Sequence, residues 1–373
     1  MPNASCERCG LYASYPGADL DGTGCCRLCR EVEGRVYPSL GDDALREVIA
    51  RRSDGMRWAC LVGYSGGKDS TFMLRRLSEW FPGRVLALTF DTQVMSDCVW
   101  GNIDRVVKSL GVEWIKHAPA PGFMPAVYRQ LLRRLVQMRS GTIYSRSTVE
   151  IGPLCWPCGT LYHLEMLRVA RDRAIPTIAI GFTPSQDSSH YPTGHRTTED
   201  PRDLFNARHA PRAEGIAARD YVTMASLVFR LVENELGKEA AAPYRLDRDD
   251  PALAPIRMLR FYDYVHYDET AIRQGSAEVG FQYPDDAGYG SSNCAINPLV
   301  RYIHNKLFGF DKYMAQDAAL VRWGFGKRED VASRVKPPPE KADVIAACKR
   351  IGMSLDEVDE MLKAPSPAGP GKA

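Results

Sequence analysis

The sequence predicts an α/β fold in which a parallel sheet is covered by helices on both faces. From residue 58 onward, short apolar runs typical of buried strands alternate with segments of helical periodicity. Parallel strands need long crossover connections, and crossover helices cover both faces of the sheet. Strands are predicted at 58–62, 85–90, 112–115 and 175–180, and helices at 69–80, 103–110 and 161–173.

Composition divides the chain of 373 residues into five segments. Residues 1–35 contain too few apolar side chains for a core, so a metal is expected to staple them. The other segments are a linker helix at 36–56, the α/β domain at 57–240, a mostly helical C-terminal extension at 241–336 and a small helical tail at 337–373. The Pro-, Gly- and Ala-rich end of that tail is predicted to be disordered.

Charge and hydropathy exclude two classes of protein. The 48 basic and 46 acidic residues leave a formal charge of +2, which argues against dominant nonspecific nucleic-acid binding. No apolar run approaches the roughly 20 residues that span a bilayer, and the N-terminus does not read as a signal peptide. We therefore expect a cytoplasmic protein with no membrane partner. Cytosolic thiols are kept reduced, so its clustered cysteines indicate metal or sulfur chemistry.

A glycine-rich loop follows the first predicted strand and opens the first predicted helix of the domain. Its glycines let successive backbone N–H groups point at an anion, and the helix N-terminus adds partial positive charge. Ser65 and Ser70 supply hydroxyl donors, and Lys68 supplies a mobile cation. A plain glycine turn with a helix cap is the alternative interpretation. The predicted phosphate-binding residues are Ser65, Gly66, Gly67, Lys68, Asp69 and Ser70.

This loop resembles the SGGxDS signature of the PP-loop ATP pyrophosphatases, and it lacks Walker A spacing. The resemblance implies a HUP-type sheet that binds ATP with Mg²⁺. It further implies attack of a substrate oxygen on the α-phosphate, loss of pyrophosphate, and displacement of AMP by a nucleophile. By the same resemblance, Thr89 and Asp91 approach the adenosine. Gly181 and Asp187 belong to a later element that contacts ATP or magnesium.

Four N-terminal cysteines have the spacing of a zinc ribbon. Cys6 and Cys9 form one CxxC, and Cys26 and Cys29 form a second one after sixteen intervening residues. Two such turns can close a tetrahedron of thiolates around Zn²⁺. Cys25 is an alternative ligand, and reduced cysteines in a disordered tail are the alternative interpretation. Four protein ligands leave no open position on the metal, so the predicted role is structural or docking.

A second cysteine group lies within the α/β domain. Cys155 and Cys158 are predicted to precede a helix, whose N-terminus lowers thiol pKa, so the pair is expected to be nucleophilic or metal-bound. Cys294 lies in a polar, glycine-rich stretch, whereas Cys60 and Cys348 lie in apolar runs. The alternative is that Cys294 has only a structural role and takes no part in chemistry.

The CxxC followed by Gly159 resembles the tRNA thiolation enzymes of the PP-loop class. The resemblance implies a third, distant cysteine, for which Cys294 is the best match. It implies either a [4Fe–4S] cluster with one open iron or a persulfide relay. The residues expected to carry the chemistry are Cys155, Cys158, Cys294, Lys68 and Asp69.

The overall layout resembles the N-acetyl-sugar amidotransferases, through the ribbon, the loop and the stretches 307–312 and 324–330. That family lacks the second CxxC, so ATP-dependent sulfur transfer is the favoured function. Amidation of an N-acetyl sugar is the second interpretation, and an ATP-binding module without turnover is the third. The expected partners are a small-molecule, sugar or tRNA acceptor and a sulfur donor, or a glutaminase in the second interpretation, with a homodimer also open.

Overall fold

A computed structural model describes most of the chain. The described residues are 4–15, 17–37, 39–137, 154–186, 213–283, 293–329 and 338–363, without the side chains of 135–137 and 308. Within these residues, every helix is too short or too polar to cross a bilayer.

Six strands form one mostly parallel sheet in the order β3-β2-β1-β4-β6-β5. Central strand β1 is fully buried and pairs in parallel with β2 and β4, which places Leu61 beside Leu86 and Ile178. Only β5 is antiparallel to its neighbour. The strands are β1 Cys60–Gly63, β2 Val85–Phe90, β3 Glu113–His117, β4 Thr177–Ile180, β5 Ile216–Ala217 and β6 Arg257–Arg260. The predicted α/β class with a parallel sheet is confirmed.

Helices cover both faces of this sheet, as predicted for crossover connections. One face carries α5, α6 and α7, and the other carries α2, α3, α4 and α9. The helices are α1 Arg27–Glu31, α2 Asp42–Arg52, α3 Lys68–Trp80, α4 Asp97–Leu110, α5 Phe123–Gln137, α6 Cys155–Asp172, α7 Ala218–Leu236, α8 Lys238–Ala241, α9 Glu269–Glu278, α10 Asn297–Phe308, α11 Met314–Arg322, α12 Lys341–Arg350 and α13 Leu355–Lys363.

The second CxxC lies inside a helix rather than before it. Helix α6 begins at Cys155, six residues earlier than its apolar periodicity predicts, and Pro157 lies within its first turn. Proline is tolerated there because the first N–H groups of a helix have no intrahelical partner. Cys155 and Cys158 are therefore one turn apart on the helix, an arrangement that places their side chains on the same side.

The sheet continues beyond residue 240, the predicted end of the α/β domain. Strand β6, at Arg257–Arg260, pairs in parallel with β4 and is almost wholly buried. It has only four residues and an arginine at each end, so its sequence lacks the apolar run that indicates the other strands. Part of the predicted C-terminal extension thus completes the sheet.

Candidate functional site

The glycine-rich loop connects buried β1 to the first turn of α3. Gly67 is the residue before the helix, so the first N–H groups of α3 are directed out of its N-terminus. The hydroxyl oxygens of Ser65 and Ser70 lie 3.1 Å apart, and Ser70 also donates to the Gly67 carbonyl at 3.0 Å. These groups form a concave set of donors suited to an anion.

Gly66 is required by both its conformation and its neighbours. Its φ of +74° lies in the left-handed region that favours glycine. A Cβ at this position would lie 2.6 Å from Val99 and 2.9 Å from Ile103, both on α4. Any side chain would therefore displace the loop from the helix that supports it.

Residues far along the chain brace the loop. The Tyr262 hydroxyl donates to the Asp69 carbonyl at 3.1 Å, and the Ser276 hydroxyl donates to the Lys68 carbonyl at 3.0 Å. The Lys68 ammonium lies 2.7 Å from the Asp69 carboxylate and 3.2 Å from the Tyr267 hydroxyl. This bracing fixes the backbone of the loop, while the Lys68 side chain pairs with Asp69 and Tyr267.

One cavity of about 700 Å³ joins this loop to the second cysteine group. The loop lines it through Ser65 and the residues Gly67 to Ser70, and Gly181 lines it from the end of β4. Cys155, Cys294 and Lys312 also line this cavity. Its volume falls in the usual range for small-molecule and cofactor sites.

A short bridge brings Cys294 to the site from far along the chain. Cys294 forms an isolated antiparallel bridge with Met95, and the Ala295 N–H donates to the Val94 carbonyl at 2.8 Å. The adjacent Asn293 amide donates to the Ser65 carbonyl at 3.3 Å. The stretch around Cys294 is thereby attached both to the segment that follows β2 and to the glycine-rich loop.

Two polar side chains contact the CxxC sulfurs. The Lys312 ammonium donates to Cys155 Sγ at 2.9 Å, and the Tyr128 hydroxyl donates to Cys158 Sγ at 3.2 Å. Neither residue is identified by spacing or periodicity in the sequence. Lys312 is the last residue of the stretch 307–312, which resembles the N-acetyl-sugar amidotransferases. This resemblance is the sequence feature that draws attention to Lys312.

Burial dominates the electrostatics of these groups. It raises the pKa of the Cys158 thiol to about 12 and that of the Cys294 thiol to about 12. The expected lowering by the helix N-terminus is therefore outweighed at Cys158. Burial opposes the charge on Lys312, but its interactions with the neighbouring Cys155, Tyr313 and Cys294 keep its pKa above the ordinary value. A cation and sulfur thus face the cavity together.

The predicted adenosine contacts are not among the side chains that line the cavity. Thr89 is fully buried, and its hydroxyl donates to the Tyr64 carbonyl at 2.7 Å and accepts from Trp114. Asp91 pairs with Lys116 at 3.0 Å. The Thr89 side chain therefore lies in the core of the sheet, and its contact with adenosine stays a prediction. Asp187 lies outside the described residues.

The N-terminal cysteines form a compact four-sulfur group. Sγ atoms of Cys6 and Cys29 lie 3.8 Å apart, those of Cys9 and Cys26 lie 3.7 Å apart, and all four lie within 4.8 Å of one another. A tetrahedron with metal–sulfur bonds of about 2.3 Å has edges of about 3.8 Å, so these residues fit a zinc ion. Cys25, the alternative ligand, is not in this group.

The second cysteine group, Cys155, Cys158 and Cys294, is arranged differently. Among the described residues, the ribbon is the sole set of three or more ligand atoms within that mutual distance, so Cys155, Cys158 and Cys294 do not enclose a single ion. Thiolates are the protein ligands of iron–sulfur clusters, in which each thiolate binds a different iron. The donor type of these three residues therefore fits a cluster.

Comparison with known proteins finds likeness in structure but no match in sequence. No protein-family model matches the chain, and no curated protein matches its sequence. Among solved structures, the chain is similar to the U34-tRNA thiolase NcsA from Methanococcus maripaludis with its [4Fe-4S] cluster. The TM-score is 0.34 at 12% identity, over 100% of this chain and 93% of that one. A likeness this loose says nothing about the chemistry of the present protein.

Proposed function

We propose that the protein is an ATP-dependent sulfurtransferase, which activates a carbonyl or amide oxygen of its acceptor and replaces it with sulfur. One observation carries this proposal: the phosphate loop and two cysteines, Cys155 and Cys294, line the same cavity. Activation by ATP and delivery of a thiol-borne group can then occur without movement of the acceptor between sites.

The loop would hold the β- and γ-phosphates of ATP. Backbone N–H groups at the start of α3 and the hydroxyls of Ser65 and Ser70 would bind the phosphate oxygens, and Lys68 would turn from Asp69 to neutralise them. Asp69 is then available to hold Mg²⁺. The acceptor oxygen attacks the α-phosphorus. The bond between the α-phosphorus and the oxygen that bridges to the β-phosphate breaks, and pyrophosphate leaves. The adenylated oxygen later departs with AMP.

The three cysteines would supply the sulfur. A [4Fe–4S] cluster held by Cys155, Cys158 and Cys294 would, when bound, present one iron without a protein ligand. The alternative that needs no iron is a persulfide on one of these cysteines, formed by transfer of sulfane sulfur from a persulfide donor. Its outer sulfur would displace AMP, and a second cysteine would then break the S–S bond to release the product and leave a disulfide. In either arrangement, the Lys312 ammonium, which donates to Cys155 Sγ, would balance negative charge on the sulfur atoms of the site. The Tyr128 hydroxyl orients Cys158 by hydrogen bonding.

For the ribbon we propose a structural zinc ion. Four buried thiols at tetrahedral spacing leave no position on the metal for water or substrate. The cavity, in contrast, is open to an acceptor. The two metal assignments make separate predictions, since the ribbon requires zinc and the cavity cluster requires iron and sulfide.

The proposal is tested on protein prepared anaerobically, with iron, sulfide and zinc determined first. The full chain is incubated with ATP, a sulfide donor and either bulk tRNA or a small-molecule extract, and AMP, pyrophosphate and sulfur in the acceptor fraction are measured. We expect AMP and pyrophosphate in equal amounts, dependent on acceptor, and their loss in Asp69→Ala. Cys98→Ala is the control for variants of the second cysteine group, because Cys98 is exposed and outside the cavity lining. It should keep full activity.

Two results would contradict the proposal. ADP and phosphate as products would exclude cleavage between the α- and β-phosphates. Full activity of a Cys155, Cys158 and Cys294 triple alanine variant with ammonia as donor would favour amidation instead, because transfer of nitrogen needs no thiol.

A further inference from the structure

Helix α11, Met314–Arg322, lies between the four-cysteine ribbon and the site cavity. Its residues Met314, Ala315 and Ala318 are buried in one cluster with the ribbon cysteines. Gln316, Asp317 and Leu320 line the cavity from the same helix. Spacings of three and four residues along each set place the two sets on different faces. The helix thus forms a wall shared by the ribbon and the cavity.

The ribbon also contacts the segment that leads into this helix. The rings of Tyr15 and Phe310 lie 4.8 Å apart, and Phe310 is 2% exposed within the ribbon cluster. Lys312 follows two residues later and contacts Cys155. Arg301 pairs with Asp311 at 2.7 Å, so the residues flanking Lys312 are held by both the ribbon and α10. The position of the Lys312 ammonium therefore depends on this packing.

A buried charge links α11 to the cysteines themselves. Arg322, at the end of α11, is 6% exposed and donates to Cys9 Sγ at 3.3 Å. Four thiolates around a divalent ion carry a net negative charge, which a neighbouring guanidinium stabilises. Loss of the metal removes this favourable interaction between the end of α11 and the ribbon. Metal in the ribbon and order in α11 should therefore depend on each other.

We propose that the metal-loaded ribbon is a positioning element of the active site, which holds α11 and the preceding segment so that Lys312 contacts Cys155. The ribbon would act on this wall rather than only stabilise its own fold. The proposal does not depend on which atom the enzyme transfers, so a failure of sulfur transfer leaves it intact.

Hydrogen exchange on the full chain tests this proposal. Backbone amides of Met314–Arg322 are followed before and after zinc removal by a chelator, and in the zinc-loaded variants Arg322→Met and Arg328→Met. Arg328 is the matched control, because it also contacts the ribbon, through the Cys6 carbonyl and Glu7, but is itself 41% exposed. Exchange in β1 and β2 reports global stability.

We expect zinc removal and Arg322→Met each to speed exchange in α11 by at least about tenfold, with less than about twofold change in Arg328→Met and none in β1 and β2. Unchanged protection of α11 after zinc has left would overturn the proposal. Equal loss of protection in α11, β1 and β2 would also overturn it, because the ribbon would then support the whole fold rather than this wall.

Discussion

The two cysteine groups of this protein differ in what surrounds their sulfurs. In the ribbon, four buried sulfurs lie within 4.8 Å of one another, and Arg322 donates to the sulfur of Cys9. In the cavity, Cys155 and Cys294 line a space of about 700 Å³ that also contains the phosphate loop. A set of thiols that completes a tetrahedron leaves no position on the metal for water or substrate, so such a metal acts only through the structure that it holds in place. The second cysteine group lies beside the glycine-rich loop and next to a cavity that can hold a ligand.

Spacing in the sequence indicates only part of this difference. Both groups begin as a CxxC, yet one closes on a second CxxC and the other is joined by a lone cysteine more than a hundred residues away. What separates them is where the fold places their neighbours. The predictions below address this distinction in order of decreasing effect.

The largest expected effect is loss of the ribbon in Cys6→Ser. Three thiolates bind zinc far more weakly than four, and binding of about 10–16 kcal/mol is the folding energy of such small metal units. We expect zinc loss and protease cleavage within residues 4–31, while the sheet keeps its circular dichroism. Cys25→Ser is the control and should retain zinc. Zinc loss in Cys25→Ser instead would assign the ligand set differently.

Cys155→Ala should abolish sulfur transfer while leaving the ribbon zinc in place. Loss of a residue that carries the transferred group lowers the rate by on the order of a thousandfold or more. Metal analysis and the acceptor assay together check this outcome, with nucleotide binding measured separately. If the variant lost zinc but kept activity, the functional distinction between the two cysteine groups would be reversed.

Lys312→Met should reduce sulfur transfer by roughly tenfold to a hundredfold, because a hydrogen bond to a charged group contributes about 1.5–3 kcal/mol. Zinc content and ATP binding should not change. Lys312→Arg keeps the charge and should restore part of the rate. An unchanged rate in Lys312→Met would remove this residue from the site.

The smallest effect is a pH dependence that belongs to the cavity side. His163, on the same helix as Cys155, is buried, and burial lowers its pKa to about 4 from 6.5. Between pH 6.5 and pH 4, His163 is protonated in the unfolded chain but neutral in the folded chain. The free energy of unfolding therefore decreases as the pH falls toward 4. We expect about 2 kcal/mol less stability at pH 5 than at pH 7 from this group.

Chemical denaturation of wild type and His163→Gln at both pH values checks this dependence. Release of ribbon metal in acid is common to both proteins and cancels in the comparison. An identical loss of stability in both proteins would show that His163 does not titrate in this way.

The sequence is informative where a local signal exists. The loop from Ser65 to Ser70, the ribbon spacing and the first four strands each have one, in turn chemistry, cysteine interval and apolar runs. Strand β6 has none, because its pairing with β4 is decided by tertiary context. The early start of α6 is hidden by Pro157, which reads as a helix breaker unless its first-turn position is known.

The same limit applies to the site. Nothing near Lys312 in the sequence indicates that it contacts a sulfur 157 residues away. The hydrogen bond from the Thr89 hydroxyl to the Tyr64 carbonyl is likewise not indicated by the sequence around either residue. Contacts between residues distant in the chain are set by packing, and they are the part that a single sequence does not contain.

The most direct test of the central claim is a crystal structure of the full chain with Mg²⁺ and a non-cleavable ATP analogue that has a methylene group between the α- and β-phosphates. The account predicts that the β- and γ-phosphates contact the backbone N–H groups from Gly67 to Ser70. The α-phosphate should lie in the same cavity, on the side of Cys155 and Cys294. A triphosphate bound outside this cavity, or an α-phosphate directed away from both sulfurs, would contradict it.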